Sequence, residues 1–460
     1  MRRLTLALFA LSAAISQAQS WEKLITPGMS YRMEIDSKAP RLIHVLRFNV
    51  GAPGLFARSE VARGQIFGAP GNDARETMSS MVQRTSAIAG INGDFFPASG
   101  EPLGAMVRDG QLLSRPFPGR ASIGWGPLGA KIALSDWSGS ISLDGAPAIA
   151  LNGINEDARA DQWVLMTDAA AEAKAAAPCT YVVMKMDTLG LNPTGNARGK
   201  VVRVIQNQPS VKIPEGHFVL VGQGKTAEVL SETSLIANAL IRSNMTGFDW
   251  NAIDNVIGGG PMLIKNGQVK IDFQTASFSE KFSTDRHPRT AVGISAQGDL
   301  IFAVVDGRQT MSIGCTLPEM ASIMQGLGCR DAINLDGGGS STISIFGQAV
   351  NRPSDGIERK VSNGVLFFGP RPENTPPFVI QGPGQLTAGK LQAFRAITST
   401  SQVIPTREVF WSAMGPGGWV DQSGVVRALG EGAITLTATY RGAKNTLSVR
   451  VVPVTDEPAP

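Results

Sequence analysis

Four short stretches of this 460-residue sequence, taken together, supply charged side chains with glycine or asparagine, the means to bring charges and exposed backbone to one point. They are Asn92-Gly93-Asp94-Phe95-Phe96-Pro97, Gly258-Gly259-Gly260-Pro261, Arg286-His287-Pro288-Arg289-Thr290 and Asn334-Leu335-Asp336-Gly337-Gly338-Gly339-Ser340-Ser341-Thr342. Asp306-Gly307-Arg308 precedes the last of them. Ala332 to Leu335 reads as a buried strand, and the glycines after it force a sharp turn just past the Asp336 carboxylate. Glycines without Cβ atoms can aim successive N–H groups into one concavity, which is how a backbone holds an anion. Each stretch alone is also compatible with an ordinary turn or a structural ion pair. Together they supply acids at Asp94, Asp306 and Asp336, several arginines and two glycine concavities. That inventory suits a sugar and an anion bound side by side.

The elements needed to position these groups are short. Leu42 to Phe48 and Ala87 to Ile91 read as strands with a helix from Ala74 to Gln83 between them. Met106 to Leu112 and Met262 to Val269 read as hairpins with Asp-Gly and Asn-Gly turns. Ala169 to Ala177 fits a short helix or an insertion. Thr316-Leu317-Pro318-Glu319 is a capping box, followed by an apolar face of Met320, Ile323, Met324 and Leu327 and a stop at Gly328. This helix lies between strands at Leu300 to Val305 and Ala332 to Leu335. If those strands are parallel, Asp306 and Asp336 emerge at the same sheet edge. The expected fold of residues 19–369 is α+β, a mixed sheet with few helices. Residues 370–377 form a Pro-rich linker, and 378–453 carry alternating short strands that fit a small all-β sandwich, with a tail at 454–460.

Residues 1–18 have Arg2 and Arg3, an apolar run from Leu4 to Ile15 and the small-x-small site Ser16-Gln17-Ala18, the pattern of a cleaved secretory signal. Periplasmic or secreted location follows as an expectation, with no later run long enough to cross a bilayer as a helix. The formal net charge of +4 comes with no basic run, which argues against nucleic acid as a partner. With only three histidines and no Cys-x-x-Cys, chemistry is expected to rest on carboxylates, arginines and backbone. Whether Cys315 and Cys329, which flank the capped helix, form a disulfide is left open. Gly222-Gln223-Gly224-Lys225-Thr226 lacks the first glycine of a phosphate-binding loop, and no Gly-x-Ser-x-Gly elbow occurs.

In this order, the Asn92–Phe96, Gly258–Pro261, Arg286–Gly293, Asp306–Gln309, Thr316–Glu319 and Asn334–Thr342 stretches resemble the phosphodiester glycosidase family, with Val361-Ser362-Asn363-Gly364-Val365 similar to its closing motif. The segment from Trp411 to Gly432 resembles bacterial immunoglobulin-like repeats. The first resemblance implies an exported enzyme that cleaves the bond between a sugar's anomeric carbon and a phosphate oxygen, on a carbohydrate phosphodiester or a cell-surface glycan. The phosphate leaving group is already acidic, so gripping it matters more than protonating it. Arg286 and Arg289 are suited to that grip, with the N–H groups of Gly337, Gly338, Gly339 and Ser340 behind them. Asn92, Gly259, Gly260, Thr290, Arg308, Ser341 and Asn363 complete the expected substrate-binding set. Asp306 and Asp336 lead as base or nucleophile, with Asp94 third. A separation of about 5 Å between two such acids implies retention, and roughly 6.5–9.5 Å inversion. No cofactor is required, although Ca²⁺ or Mg²⁺ held by the three acids is an alternative. A different class of reading is a non-catalytic surface module that binds anionic glycan.

Overall fold

The structure, a computed structural model, describes residues 19–36, 39–67, 74–372 and 375–454. The secretory-signal segment lies outside the described residues. The fold corrects the α+β expectation: it is mostly β, with about 48% strand and 9% helix. The physical reason lies in the stretch from Trp137 to Met245, where alternating apolar positions and turns at short intervals build an eight-stranded sheet instead of helix-covered strands. The alanine-rich segment belongs to this region and contributes the strand Glu172–Lys174. Its alanines are too few to offset helix nucleation without an apolar face.

Three other sheets share one core and position the site. The first runs, in spatial order, through Gln19–Thr26, Met29–Asp36, Arg41–Phe48, Leu300–Val305, Arg289–Ser295, Cys329–Asn334, Met262–Lys265 and Gln268–Val269. Leu300–Val305 and Cys329–Asn334 point the same way but are not neighbours. Arg289–Ser295 lies between them and pairs antiparallel with both. A second sheet joins Ala89–Asn92 to Asn363–Phe368, with Asn92 opposite Gly364. In a third, Asn255–Gly258 is flanked by Met106–Arg108 and Ala121–Gly126. Leu46 and Phe302 of the first sheet, Ile91 and Phe367 of the second, and Ile123, Trp125 and Ile257 of the third meet in one apolar cluster. The Asp-Gly and Asn-Gly hairpins form as expected, with Asp109 and Asn266 both at positive φ.

The capped helix spans Leu317–Gly326, and both halves of its capping box are made. Leu317, Met320, Ala321 and Met324 are buried against Ala291, Ala303 and Ala332 of the first sheet. The other expected helix begins at its Thr77 cap and covers Met78–Thr85. Cys179, Cys315 and Cys329 are free, buried thiols.

The strands after residue 378 form further small sheets around Phe394, Trp411, Leu436 and Val449. They are docked on the rest of the chain. Phe410 and Trp419 belong to the same apolar cluster as Tyr31 and Phe346. Lys23, almost fully buried, donates to the carbonyls of Thr406 and Val409. The Arg352 guanidinium donates to Gly415 O at 2.6 Å and Gly418 O at 3.2 Å. Its own backbone N–H donates to Asp306 Oδ2 at 3.0 Å. Asp306 is 1% exposed. It meets His44 Nε2 at 3.2 Å and accepts from Asn351 Nδ2 at 2.9 Å, while His44 Nδ1 lies 2.8 Å from the Tyr31 hydroxyl. Asn351 Nδ2 also donates to Ser341 O at 3.0 Å, so this buried node reaches the loop that follows Asp336.

Two stability predictions follow from these contacts. Replacing Thr316 with Ala removes a cap and is expected to cost about 1 kcal/mol in urea unfolding. Asp306→Ala leaves His44 and Asn351 facing an empty buried position and is expected to cost about 3–5 kcal/mol. An unfolding midpoint equal to wild type for Asp306→Ala would contradict the structural role assigned to that carboxylate.

Candidate active site

Where the three sheets of the shared core run out, asparagine side chains take over from strand partners. Asn92 Nδ2 donates to Asp336 O at 2.8 Å, and Asn92 Oδ1 accepts from Thr342 N and Thr290 Oγ1, both at 3.0 Å. Asp336 N donates to Gly93 O at 3.0 Å. Asn334 Nδ2 donates to Gly260 O at 3.0 Å, and Gly260 N returns a 2.7 Å bond to Asn334 O. Asn363 Oδ1 accepts from Asp94 N at 2.7 Å. Thr290 Oγ1 and Ser341 Oγ are 3.1 Å apart. A Cβ on Gly259 would lie 2.7 Å from Asn334 O, so this loop approaches closely because it carries no side chain there. Asn92, Gly259, Gly260, Thr290, Ser341 and Asn363 thus form the frame that sets Asp94 beside Asp336.

Asp94 is 2% exposed. Its Oδ1 accepts from its neighbour Phe95 N and its Oδ2 from Gly104 N, both at 2.8 Å. A Cβ on Gly258 would sit 2.3 Å from Oδ2 and one on Gly104 2.4 Å, so two glycines make room for this carboxyl. Burial raises its pKa to about 7; the Phe95 N–H, Arg120 and the Gly104 N–H pull it back, and the Asp336 charge pushes it up further. Asp336 keeps part of its surface open to solvent. Its Oδ1 accepts from Gly337 N at 2.9 Å. Desolvation lifts its pKa to about 6, against the Ser340 hydroxyl, the Gly337 N–H and Arg359. Both carboxyls are thus raised toward neutrality by burial, and Asp94 lies within the field of Asp336. Asp306 lies apart from them, in the His44 node.

The expected cations divide. Arg289 is 1% exposed and spends its donors on the carbonyls of Cys315 (3.2 Å), Phe282 (2.5 Å) and Asp285 (3.0 Å). Its guanidinium covers the Phe282 ring at 4.6 Å, and burial lowers its pKa to about 10. Arg286 makes a two-pronged, exposed pair with Glu319 at 2.6 and 2.7 Å. The Arg286 guanidinium is thus committed to Glu319, whereas Arg289 Nη1 takes no part in these bonds. Arg308 stands at the glycine turn: its Nη2 lies 3.3 Å from His287 Nδ1, and a Cβ on Gly338 would come within 3.4 Å of it. Arg359, paired with Asp355 at 2.7 Å, sits closer still to Gly339, where a Cβ would come within 2.3 Å of its Nη2. The glycine turn is less of an anion cradle than its composition suggests. The N–H groups of Gly337, Gly338, Ser340 and Ser341 donate within the protein, to Asp336 Oδ1, Pro288 O, Gly337 O and Gly338 O. Among the described residues, no cluster of three or more His, Cys, Asp or Glu side chains is arranged to hold a metal ion.

One charged group was not legible in the sequence. Arg120, in the loop Pro116-Phe117-Pro118-Gly119-Arg120, reaches into the site within the field of Asp94. Around it lie Phe95 and Phe278, whose ring centroids are 5.2 Å apart, and Phe278 stacks on Phe282 at 4.6 Å. A lone arginine in a turn carries no motif, and only the fold shows what it faces.

Residues 192–368, about two-fifths of the chain, match the family model described as phosphodiester glycosidase. The N-acetylglucosamine-1-phosphodiester alpha-N-acetylglucosaminidase of Mus musculus is 36% identical over 138 residues, 26% of this chain and 26% of that protein. An uncharacterised SPbeta prophage-derived protein of Bacillus subtilis is 46% identical over 76 residues, 16% of this chain and 12% of its own. The chain therefore spans about a quarter or less of the length of these curated relatives. Two solved structures share the fold. A hypothetical protein from Synechocystis has a TM-score of 0.63 at 22% identity, covering 75% of this chain and 63% of that one. A protein from Burkholderia pseudomallei has a TM-score of 0.58 at 21% identity, covering 71% and 74%. The matched residues 192–368 contain Asp336, its glycine turn and the strands that carry them, so it is this part of the chain that is similar to the phosphodiester glycosidase family.

Proposed function

We propose that this protein hydrolyses the bond between a sugar's anomeric carbon and the oxygen of a phosphodiester, releasing the free sugar and a phosphate monoester. Asp94 and Asp336 are its reacting carboxyls. The observation that carries this reading is the pairing of two acids whose pKa values burial has raised to about 7 and about 6. Environments that separate two such groups assign their roles. Asp336, the lower of the two and the one open to solvent, is the base that directs attack on the anomeric carbon. Asp94 keeps its proton. A neutral Asp94 does not repel a phosphodiester anion, and its O–H can donate to a phosphate oxygen. A phosphate ester needs little help to leave, so a strong general acid is not required.

Other features of the site support a sugar phosphate. Phe95, Phe278 and Phe282 give a partly exposed aromatic surface of the kind that packs on the apolar face of a sugar ring. Arg308 and Arg359 flank the glycine turn and make the mouth positive. In the domain organisation that goes with this reading, residues 19–369 are the catalytic region and 378–453 an immunoglobulin-like module docked against it. The leader at residues 1–18 directs export.

The experiment is turnover by the purified mature protein on a panel of α- and β-linked glycosyl phosphodiesters. We expect kcat/KM to rise as pH passes about 6, where Asp336 loses its proton, and to fall above about 7, where Asp94 loses its own; the two limbs belong to the coupled pair. Asp336→Asn should lower kcat by about 10²–10⁴-fold with unfolding unchanged. Binding without turnover across the panel would sink the enzyme reading in favour of a glycan-binding module.

A further inference from the structure

Among the described residues Arg120 makes no ion pair, and only the field of Asp94 answers its charge. Its side chain is 9% exposed. Nε donates to Ala276 O at 3.1 Å, but Nη1 is fully buried with no acceptor. The guanidinium is held flat among three rings, 4.2 Å from the centroid of Phe278, 4.3 Å from Phe117 and 5.1 Å from Phe95. Its stem passes Gly260, where a Cβ would lie 3.6 Å from Arg120 Cγ, so the glycine loop at 258–261 helps fix it. The carboxyl whose field reaches it is Asp94, too far for an ion pair among the described contacts.

Arg289 shows how this fold satisfies a buried guanidinium when the role is structural. Two of its nitrogens are spent on three carbonyls and no donor is left buried without an acceptor. Arg120, 9% exposed against 1% for Arg289 and covered by three rings instead of one, lacks that satisfaction. A desolvated cation with an unmade hydrogen bond is costly, and an incoming anion removes the cost. A guanidinium fork matches the oxygens of phosphate better than any other protein group. The surrounding phenyl rings strengthen its contacts by excluding water.

We infer that Arg120 is the residue that recognises the phosphate of the substrate, gripping its non-bridging oxygens from the Asp94 side of the cleft. This rests on the glycosyl-phosphodiester reading given above. It moves the phosphate grip from Arg286 and Arg289, which are bonded to Glu319 and to three carbonyls, to a loop that precedes the family-matched segment. An ionised Asp94, whose field reaches the Arg120 guanidinium, would compete with the phosphate for it.

The test compares Arg120→Gln and Arg120→Lys with wild type on two substrates of one sugar, a glycosyl phosphodiester and a neutral aryl glycoside. In parallel, calorimetry follows binding of inorganic phosphate and of a sugar 1-phosphate. Arg120→Gln should lose about 10–150-fold in kcat/KM on the phosphodiester, the range for a charged hydrogen bond. It should lose less than about 3-fold on the aryl glycoside, a bound set by the absence of that bond. Phosphate binding should fall in step with the first number, and Arg120→Lys, which keeps the charge and unfolds as wild type, should be intermediate. Equal losses on both substrates would show that Arg120 acts through Asp94, and overturn the inference. So would phosphate binding that is undetectable in wild type or unchanged in Arg120→Gln. If phosphate binding depends on Arg120 but no glycosyl phosphodiester is turned over, the anion site stands and the proposed reaction falls.

Discussion

The site depends on buried asparagine side chains doing the work of missing strands. At a corner where three sheets stop, backbone N–H and C=O groups point into protein and find neither water nor a neighbouring strand, a cost of the order of a full hydrogen bond for each. Asn92 and Asn363, both buried, use a donor and an acceptor on one short arm, and buried Asn334 donates through Nδ2 to the carbonyls of Gly260 and Leu335. The loops they tie are the ones that bear Asp94 and Asp336. The positions of the acids are therefore consequences of hydrogen-bond satisfaction in the core, with little freedom left to the turns themselves.

Burial then sets the charge states. It raises both acids toward neutrality while leaving Asp336 wetter than Asp94, and it produces the contrast between Arg289, which the protein satisfies, and Arg120, which it does not. The same physical term acts on all four side chains. What differs is how many local dipoles answer it, and that count decides which groups are structural and which remain available for a ligand.

Much of this was legible in the sequence, because it is written in local chemistry. The turn after Asp336, the two hairpins and the capped helix each need particular residues at particular spacings, and each formed. Asp94 and Asp336 were both named from their loops. The roles of Asp306, Arg286 and Arg289 were not readable, because a carboxylate or guanidinium in a motif looks the same whether its partners are backbone carbonyls or a substrate. Whether the strands before Asp306 and Asp336 run parallel is open in the sequence; in the fold both run antiparallel to Arg289–Ser295 and so point the same way. The intervening strand Arg289–Ser295 and the His44 and Asn351 side chains that claim Asp306 come from distant parts of the chain. The all-β character was missed between Trp137 and Met245, where strands follow one another with no local motif to mark them.

Arg352 joins two regions through one residue, its N–H on Asp306 and its guanidinium on the carbonyls of Gly415 and Gly418. Lys23, near the other end of the described chain, is closed over by Thr406 and Val409. A chain that emerges from the ribosome or a translocation pore N-terminus first must hold these charged groups without their final partners until residues 406–418 have been added. Order of synthesis is thereby built into the molecule. The node that steadies Ser341 closes with Arg352, and its tie to Gly415 and Gly418 comes later.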